Sequence, residues 1–225
     1  MGKVVFQSVQ DFQAIIELLK INQVKAWVNC KRRMYTFYQE VQRNLGNGER
    51  IIYEEQGVNW GMGCNSIHSI DLISFVSGET DFRITSSELD IEILAGKRKG
   101  FLEFTGALYG ISRNGSKFSL ISYKESKAPR VIKISGNTSR YIIFESDGKL
   151  IQAHKSKSWE EEEVQIQFPS QSQLTHLVVS KILETGQCDL TPLELSFEFH
   201  KPLLEAFTQH LECVMKRSYE RCPIT

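Results

Sequence analysis

Three acids alternate with two aliphatics in Glu88-Leu89-Asp90-Ile91-Glu92. On an extended strand all three acids project to one face, with Glu88 and Glu92 about 13 Å apart along an ideal strand. Twist or a bulge shortens that span. Two carboxyls about 5–5.5 Å apart carry out retaining glycoside hydrolysis, one as nucleophile and one as acid/base. The same alternation also describes the wet face of any half-buried strand. A second chemistry lies in Lys31-Arg32-Arg33, which leads into Tyr35, Phe37 and Tyr38, and in the triplet Lys97-Arg98-Lys99. Cations beside aromatic rings bind single-stranded nucleic acid through phosphate contacts and base stacking. Acids such as Asp71, Asp81, Asp90 and Glu92, with Glu125-Ser126-Lys127, would serve a metal-dependent nuclease only if the fold brought them together.

Other signatures are missing. The sequence has no phosphate loop ending in Lys-Ser/Thr, no dinucleotide fingerprint, no H-E-x-x-H and no G-x-S-x-G. Gly61-Met62-Gly63 gives a G-x-G without a third glycine, and the sequence after it suggests no helix. The histidines are His68, His154, His176, His200 and His210, with no two at metal-ligand spacing. Cys64 and His68 could meet across one helical turn, as could His210 and Cys213. Catalytic Cys–His pairs normally come from distant parts of a chain. No metal and no cofactor is expected. Cys30, Cys64, Cys188, Cys213 and Cys222 form no close pair, which points to reduced thiols.

The pentapeptide resembles the active-site strand of the laminarinase and lichenase family of endo-β-glucanases, over Glu88 to Gly96. The resemblance implies a jelly-roll sandwich, with Glu88 as nucleophile, Asp90 as its supporting carboxylate and Glu92 as acid/base. Such enzymes line their clefts with aromatic platforms, and this chain has 3 Trp, none in a series flanking the strand.

The elements that must hold these residues are partly legible. Ser8 and Asp11 suggest the cap of a helix over about 8–21, whose Phe12, Ile15, Ile16 and Leu19 recur at helical spacing. Met34–Gln42 is open between strand and helix, its aromatic content favouring a strand, with Asn47-Gly48 as a hairpin turn before Ile51-Ile52-Tyr53. Short apolar runs follow, separated by Asn114-Gly115, Gly136-Asn137 and Asp147-Gly148. Leu177–Leu183 and the alternating Leu193, Leu195, Phe197 and Phe199 continue the strand pattern, and a helix over about 202–219 closes the chain.

The 225 residues carry 27 Lys+Arg and 27 Asp+Glu, with 41 % hydrophobic residues. That balance excludes a disordered or wholly basic chain. Met1-Gly2-Lys3 opens no apolar run of signal-peptide type, and Phe6 stands where a myristoylation motif wants Ser or Thr. The expectation is one α+β domain over 1–225, with an antiparallel core (meander, sandwich or open barrel) over about 24–199 and a helix at each end. Missing catalytic signatures point first to a non-enzymatic cytosolic binding or adaptor domain, nuclear residence being the alternative. It would use Phe207, Leu211, Met215 and Tyr219 of the last helix to hold a protein partner or a second copy, and no membrane. On that reading Phe207→Glu abolishes partner capture without unfolding the chain. The glycan-cleaving or glycan-binding sandwich comes second. The single-strand binder using Lys31, Arg32, Arg33, Tyr35, Lys97, Arg98 and Lys99 comes third.

Overall fold

A computed structural model describes residues 4–46 and 48–224. Met1–Lys3 and Asn47 of the expected hairpin turn lie outside the described residues. The chain starts with α1 (Val9–Ile21), whose Ser8 hydroxyl accepts the Asp11 N–H at 3.0 Å. β1 (Trp27–Val28) and a 3₁₀ turn (Lys31–Met34) lead into α2 (Thr36–Leu45). The strand expected at Met34–Gln42 is therefore a helical segment. Tyr35, Tyr38, Val41 and Leu45 are buried while Thr36, Gln39 and Glu40 face water. That spacing of three and four is helical, and it outweighs the β preference of the aromatic residues.

β2 (Ile52–Val58) runs through a short turn into α3 (Met62–Ser77), so Gly61-Met62-Gly63 does open a helix. β3 (Phe82–Leu89), β4 (Leu94–Ala95), β5 (Leu102–Glu103), β6 (Gly106–Ser112), β7 (Lys117–Tyr123), β8 (Val131–Ser135), β9 (Ser139–Phe144), β10 (Lys149–His154) and β11 (Glu161–Gln165) follow. The chain ends with α4 (Gln171–Thr185), β12 (Thr191–Pro192) and α5 (Leu193–Met215).

Eight strands form one sheet in the order β11-β10-β9-β8-β2-β7-β6-β3. It is neither a sandwich nor a closed barrel, and it is not purely antiparallel. β2 pairs in parallel with β7, Tyr53 opposite Phe118 and Glu55 opposite Leu120. The other neighbours pair antiparallel. β1 pairs with β12 and β4 with β5 in two small sheets. The fold is thus mixed α/β, with five α-helices among the described residues.

Two further segments expected as strands are helices. Leu177–Leu183 lies within α4, which Ser170 and Gln173 open with a capping box and Gly186 closes in the left-handed region. The run from Leu193 to Phe199 is the start of α5, which continues unbroken through Pro202. Its buried residues are Leu193, Ser196, Phe199, His200, Leu203, Leu204, Phe207 and Leu211, a helical stripe. The alternation of Leu195 and Phe197 with polar neighbours came from partly buried flanks of that stripe.

The main core lies between one face of the sheet and helices α2, α3 and α5. α3 is its centre: every residue except Asn65, His68 and Phe75 is buried. A smaller cluster of Phe12, Ile16, Val28, Cys30 and Leu193 joins α1 to the start of α5. No disulfide links the cysteines. Among the described residues no helix is long and apolar enough to cross a membrane.

Candidate functional site

A charge lies under the core. Glu55, in the middle of β2, is fully buried. Its Oε1 accepts from Arg32 Nη2 at 3.3 Å and Arg130 Nε at 2.8 Å. Its Oε2 accepts from the Tyr53 hydroxyl at 2.7 Å and from the Ser69 hydroxyl of α3. Gly57 makes room for this, since a Cβ there would come within 3.0 Å of Arg130 Cβ. Arg32 also meets Glu145, in the β9–β10 turn, at 2.7 Å, and Glu145 accepts from the Tyr38 hydroxyl at 2.7 Å. Burial works against charge on Glu55, but Arg130 and Arg32, with the Ser69 and Tyr53 hydroxyls, hold its carboxyl down at about 2. Burial and the carboxylates Glu145 and Glu55 push the Tyr38 and Tyr53 phenols well up, so both stay neutral donors.

The neighbouring Arg33 is anchored the other way. Its Nε meets the Asp71 carboxylate of α3 at 2.8 Å, and Asp71 also accepts from the Thr191 hydroxyl. Burial raises the Asp71 carboxyl despite Arg33. The 3₁₀ turn is thereby pinned to β2 and the β9–β10 turn through Arg32, and to α3 through Arg33.

This frame walls a cavity of about 410 Å³. Asn65 and His68, three residues apart on α3, lie on its wall together with Lys31, Arg32 and Arg130. Asn29, Tyr35, Glu145 and Ser146 contribute too, and Phe168 and Gln171 complete it where the chain enters α4. Asn65 is oriented by donating its amide to the Trp60 carbonyl at 2.7 Å. Arg130 lies over the Trp60 ring, 4.5 Å from its centroid. Lys31 sits 5.6 Å from the centre of the Tyr35 ring. A smaller cavity of about 250 Å³ shares Asn65 and is lined by Trp60, Cys64, Lys97, Arg98 and Phe101. The small cavity also takes in Glu103, whose carboxylate accepts the Gly63 N–H at the start of α3 and the Phe104 N–H at 3.0 Å.

The residues singled out from the sequence are distributed as follows. β3 ends at Leu89, so Glu88, Asp90 and Glu92 are not one continuous strand face. Glu88 accepts from the Ser86 hydroxyl at 3.2 Å, and Asp90 accepts from the Thr105 hydroxyl at 2.6 Å. Glu92 pairs with Lys124 at 2.6 Å on the surface. None of the three lines the 410 Å³ cavity. Of the basic-aromatic segment, Arg32 and Arg33 turn inward to Glu55, Glu145 and Asp71, and Tyr35 is buried. Lys97, Arg98 and Lys99 stay exposed in the β4–β5 loop. On α5, Phe207 and Leu211 are fully buried, Tyr219 beyond it is half-buried and Met215 is exposed. Among the described residues no group of three or more His, Cys, Asp or Glu is poised to hold a metal.

Sequence reasoning passed over Asn65, Glu55, Arg130 and Glu145, and weighed His68 only as a partner for Cys64. The available signal was the helical run from Met62 to Ser77, in which Asn65 and His68 fall on one face.

No protein-family model matches the chain, and no curated protein sequence matches it. Solved structures share its fold. UDP-N-acetylglucosamine 3-dehydrogenase GnnA from Acidithiobacillus ferrooxidans superposes with a TM-score of 0.64 at 12% identity, over 89% of this chain and 66% of that one. The dehydrogenase MviM from Clostridium difficile gives 0.63 at 14% identity, over 88% and 66%. A super-repressor mutant of Gal80p from Saccharomyces cerevisiae gives 0.63 at 11% identity, over 92% and 68%. The fold is dehydrogenase-like. The chain spans just under two thirds of the length of the first two. These likenesses overturn the reading as a non-enzymatic adaptor: structures named as oxidoreductases and dehydrogenases share the fold. The single eight-stranded sheet corrects the glucanase-like sandwich, and the inward ion pairs of Arg32 and Arg33 take the basic-aromatic segment away from a nucleic-acid strand.

A dehydrogenase fold raises the question of a dinucleotide. The described residues do not fit one at the obvious place. The G-x-G of Gly61-Met62-Gly63 opens α3, and there the Glu103 carboxylate already takes the Gly63 N–H that a pyrophosphate oxygen would need. Gly63 serves packing instead: a Cβ would stand 2.8 Å from Glu103 Oε1, 3.1 Å from Ile224 and 3.2 Å from Phe104. Gly63→Ala should destabilise the fold by about 1–3 kcal/mol, read as a lower denaturation midpoint at unchanged m-value. An unchanged midpoint would mean that Glu103 is not held against the helix start.

Proposed function

We propose that this chain is the substrate-holding domain of a dehydrogenase-type oxidoreductase. It binds a polar, hydroxyl-bearing small molecule in the cavity beside α3. The convergence of Asn65 and His68 with Lys31, Arg32 and Arg130 carries the reading, since a concave site with few, fixed polar groups is how small molecules are held. The fold shared with dehydrogenases supports it.

Each lining group has a role on this reading. Asn65, anchored on the Trp60 carbonyl, keeps its side-chain oxygen for a substrate hydroxyl. Oxidation of an alcohol passes the hydride on carbon to a hydride acceptor such as a nicotinamide, which the whole oxidoreductase would have to hold, and releases the hydroxyl proton. Imidazole is the side chain whose ordinary pKa suits taking and returning a proton near neutrality, so His68 is the acid/base. Tyr35 and Phe168, 5.0 Å apart, supply an apolar wall on which a sugar ring can rest. No step here is routed through a nicotinamide, for which the described residues offer no pyrophosphate cradle.

The test is ligand-detected at His68. The intact protein is titrated with a panel of neutral polyols and sugars while the imidazole resonances are followed by NMR. His68→Gln identifies the His68 signal. A saturable shift of His68 with at least one member, accompanied by a higher melting temperature, is the expected result. A panel that moves neither removes the reading.

A further inference from the structure

Arg32 is an unusual wall for a neutral ligand. Its side chain is 8% exposed, and Nη2 serves both Glu55 and Glu145. Nη1 is buried and has no hydrogen-bond partner among the described residues. A buried guanidinium N–H without an acceptor is costly, and such a group calls for an explanation. The surroundings supply one. Lys31, Arg32 and Arg130 bring three positive charges to the cavity. Glu145 on the wall and Glu55 behind it bring two negative ones, so an excess of one positive charge remains before His68 is counted. Both carboxylates are already engaged: Glu55 with both arginines, Tyr53 and Ser69, and Glu145 with Arg32 and Tyr38. The positive charge left over belongs to residues that line the cavity.

We infer that the cavity selects a ligand bearing an oxyanion, a carboxylate or a phosphate, that gives Arg32 Nη1 its missing acceptor and neutralises the excess charge beside Lys31. The inference rests on the cavity being a substrate site, and it narrows that reading from hydroxylated to acidic compounds. A guanidinium already oriented by two carboxylates needs little reordering to accept an oxyanion in a fixed place. The ion pairs behind it do for the ligand what a rigid scaffold does for any binding group: they fix the donor before the ligand arrives. Tyr35, the ring next to Lys31, keeps that cation close to the mouth rather than extended into water.

The probes are acetate, inorganic phosphate and neutral acetamide, each titrated into the intact protein at constant ionic strength with chloride. The Arg32 Nε–H resonance is the readout, since Nη2 makes the bonds to both glutamates. Two variants accompany it: Asn29→Asp, which adds a negative charge to the wall at nearly constant shape, and Lys31→Glu. Neither residue touches Glu55, so the folded core is left alone. Saturable shifts with acetate or phosphate, absent with acetamide and chloride, are expected, with affinity reduced about tenfold or more in each variant. The tighter of the two anions tells carboxylate from phosphate. Equal response to acetamide, unchanged affinity in both variants, or no saturable shift with either anion overturns the inference. If His68 still responds to the neutral panel in that case, the substrate-site reading survives alone. If His68 is silent too, both fall.

Discussion

Replacing Glu55 with glutamine should lower the unfolding free energy by about 3–5 kcal/mol at neutral pH. The substitution leaves the partly exposed Arg130 without its carboxylate and the nearly buried Arg32 with Glu145 alone. Chemical denaturation would measure it, with m unchanged if the denatured state is unaltered. The acid limb gives an independent check. The Glu55 carboxyl sits at about 2 in the folded protein against an ordinary 4.5. A depressed carboxylate contributes stability that is complete above its unfolded value and is lost as pH falls through the folded one. The window is therefore from 4.5 down to about 2, and the gap is worth about 3 kcal/mol. Wild-type stability should fall through that window more steeply than that of Glu55→Gln. Parallel curves would show that the ion pairs around Glu55 do not stabilise the fold.

Phe207→Glu should abolish cooperative unfolding altogether. Phe207 is fully buried and stacks on Phe104 with centroids 4.9 Å apart and planes 14° apart. The change removes the aromatic contact, at a cost of about 3–5 kcal/mol, and adds a carboxylate with no cation in the stack. Together with the several kcal/mol of an unpaired buried charge, this reaches the whole of an ordinary domain's stability of about 5–15 kcal/mol. Phe207→Leu, which keeps an apolar side chain, should cost only about 1–2 kcal/mol and retain a single sharp transition. Circular dichroism on heating separates the two. A Phe207→Glu protein that still melted cooperatively would mean that α5 can turn this face outward, as the surface role first read from the sequence requires.

That role failed for a physical reason visible at Phe207. Periodicity identifies an apolar face but does not tell what covers it, and here the sheet does. The same ambiguity hid α3. A helix enclosed on nearly all sides has only a narrow polar stripe, so the period of Met62–Ser77 is faint and Asn65 with His68 was its one sign. In α2 the helical spacing of Tyr35, Tyr38, Val41 and Leu45 was present but masked by aromatic residues that favour strands in general. Turn residues were more informative. Asn114-Gly115 does join β6 to β7, and Asp147-Gly148 falls between β9 and β10. At the site, Lys31, Arg32 and Tyr35 were noticed for their chemistry, while their partners were not. Glu55 and Glu145 stand 23 and 113 residues from Arg32, and a sequence gives no sign of ion pairs closed over such distances. Asn65 and His68 became conspicuous only once every neighbour on their helix had been assigned to the core.

The parallel pairing of β2 with β7 bears on how the molecule is made. β2 is hydrogen-bonded on one side to β7 and on the other to β8, and both come later in the chain. During synthesis the strand that carries Glu55 emerges with neither neighbour available. It remains unpaired until the ribosome has released residues 117–123 and 131–135. Its carboxylate meets Arg130 only at that same stage. Contacts this far apart in sequence close slowly, because chain entropy must be lost before they form. Assembly of the sheet's centre, neutralisation of its buried charge and shaping of the cavity wall are therefore one late event. A nascent chain halted before Lys117 would expose an unpaired, partly apolar strand and would be a natural client for a chaperone.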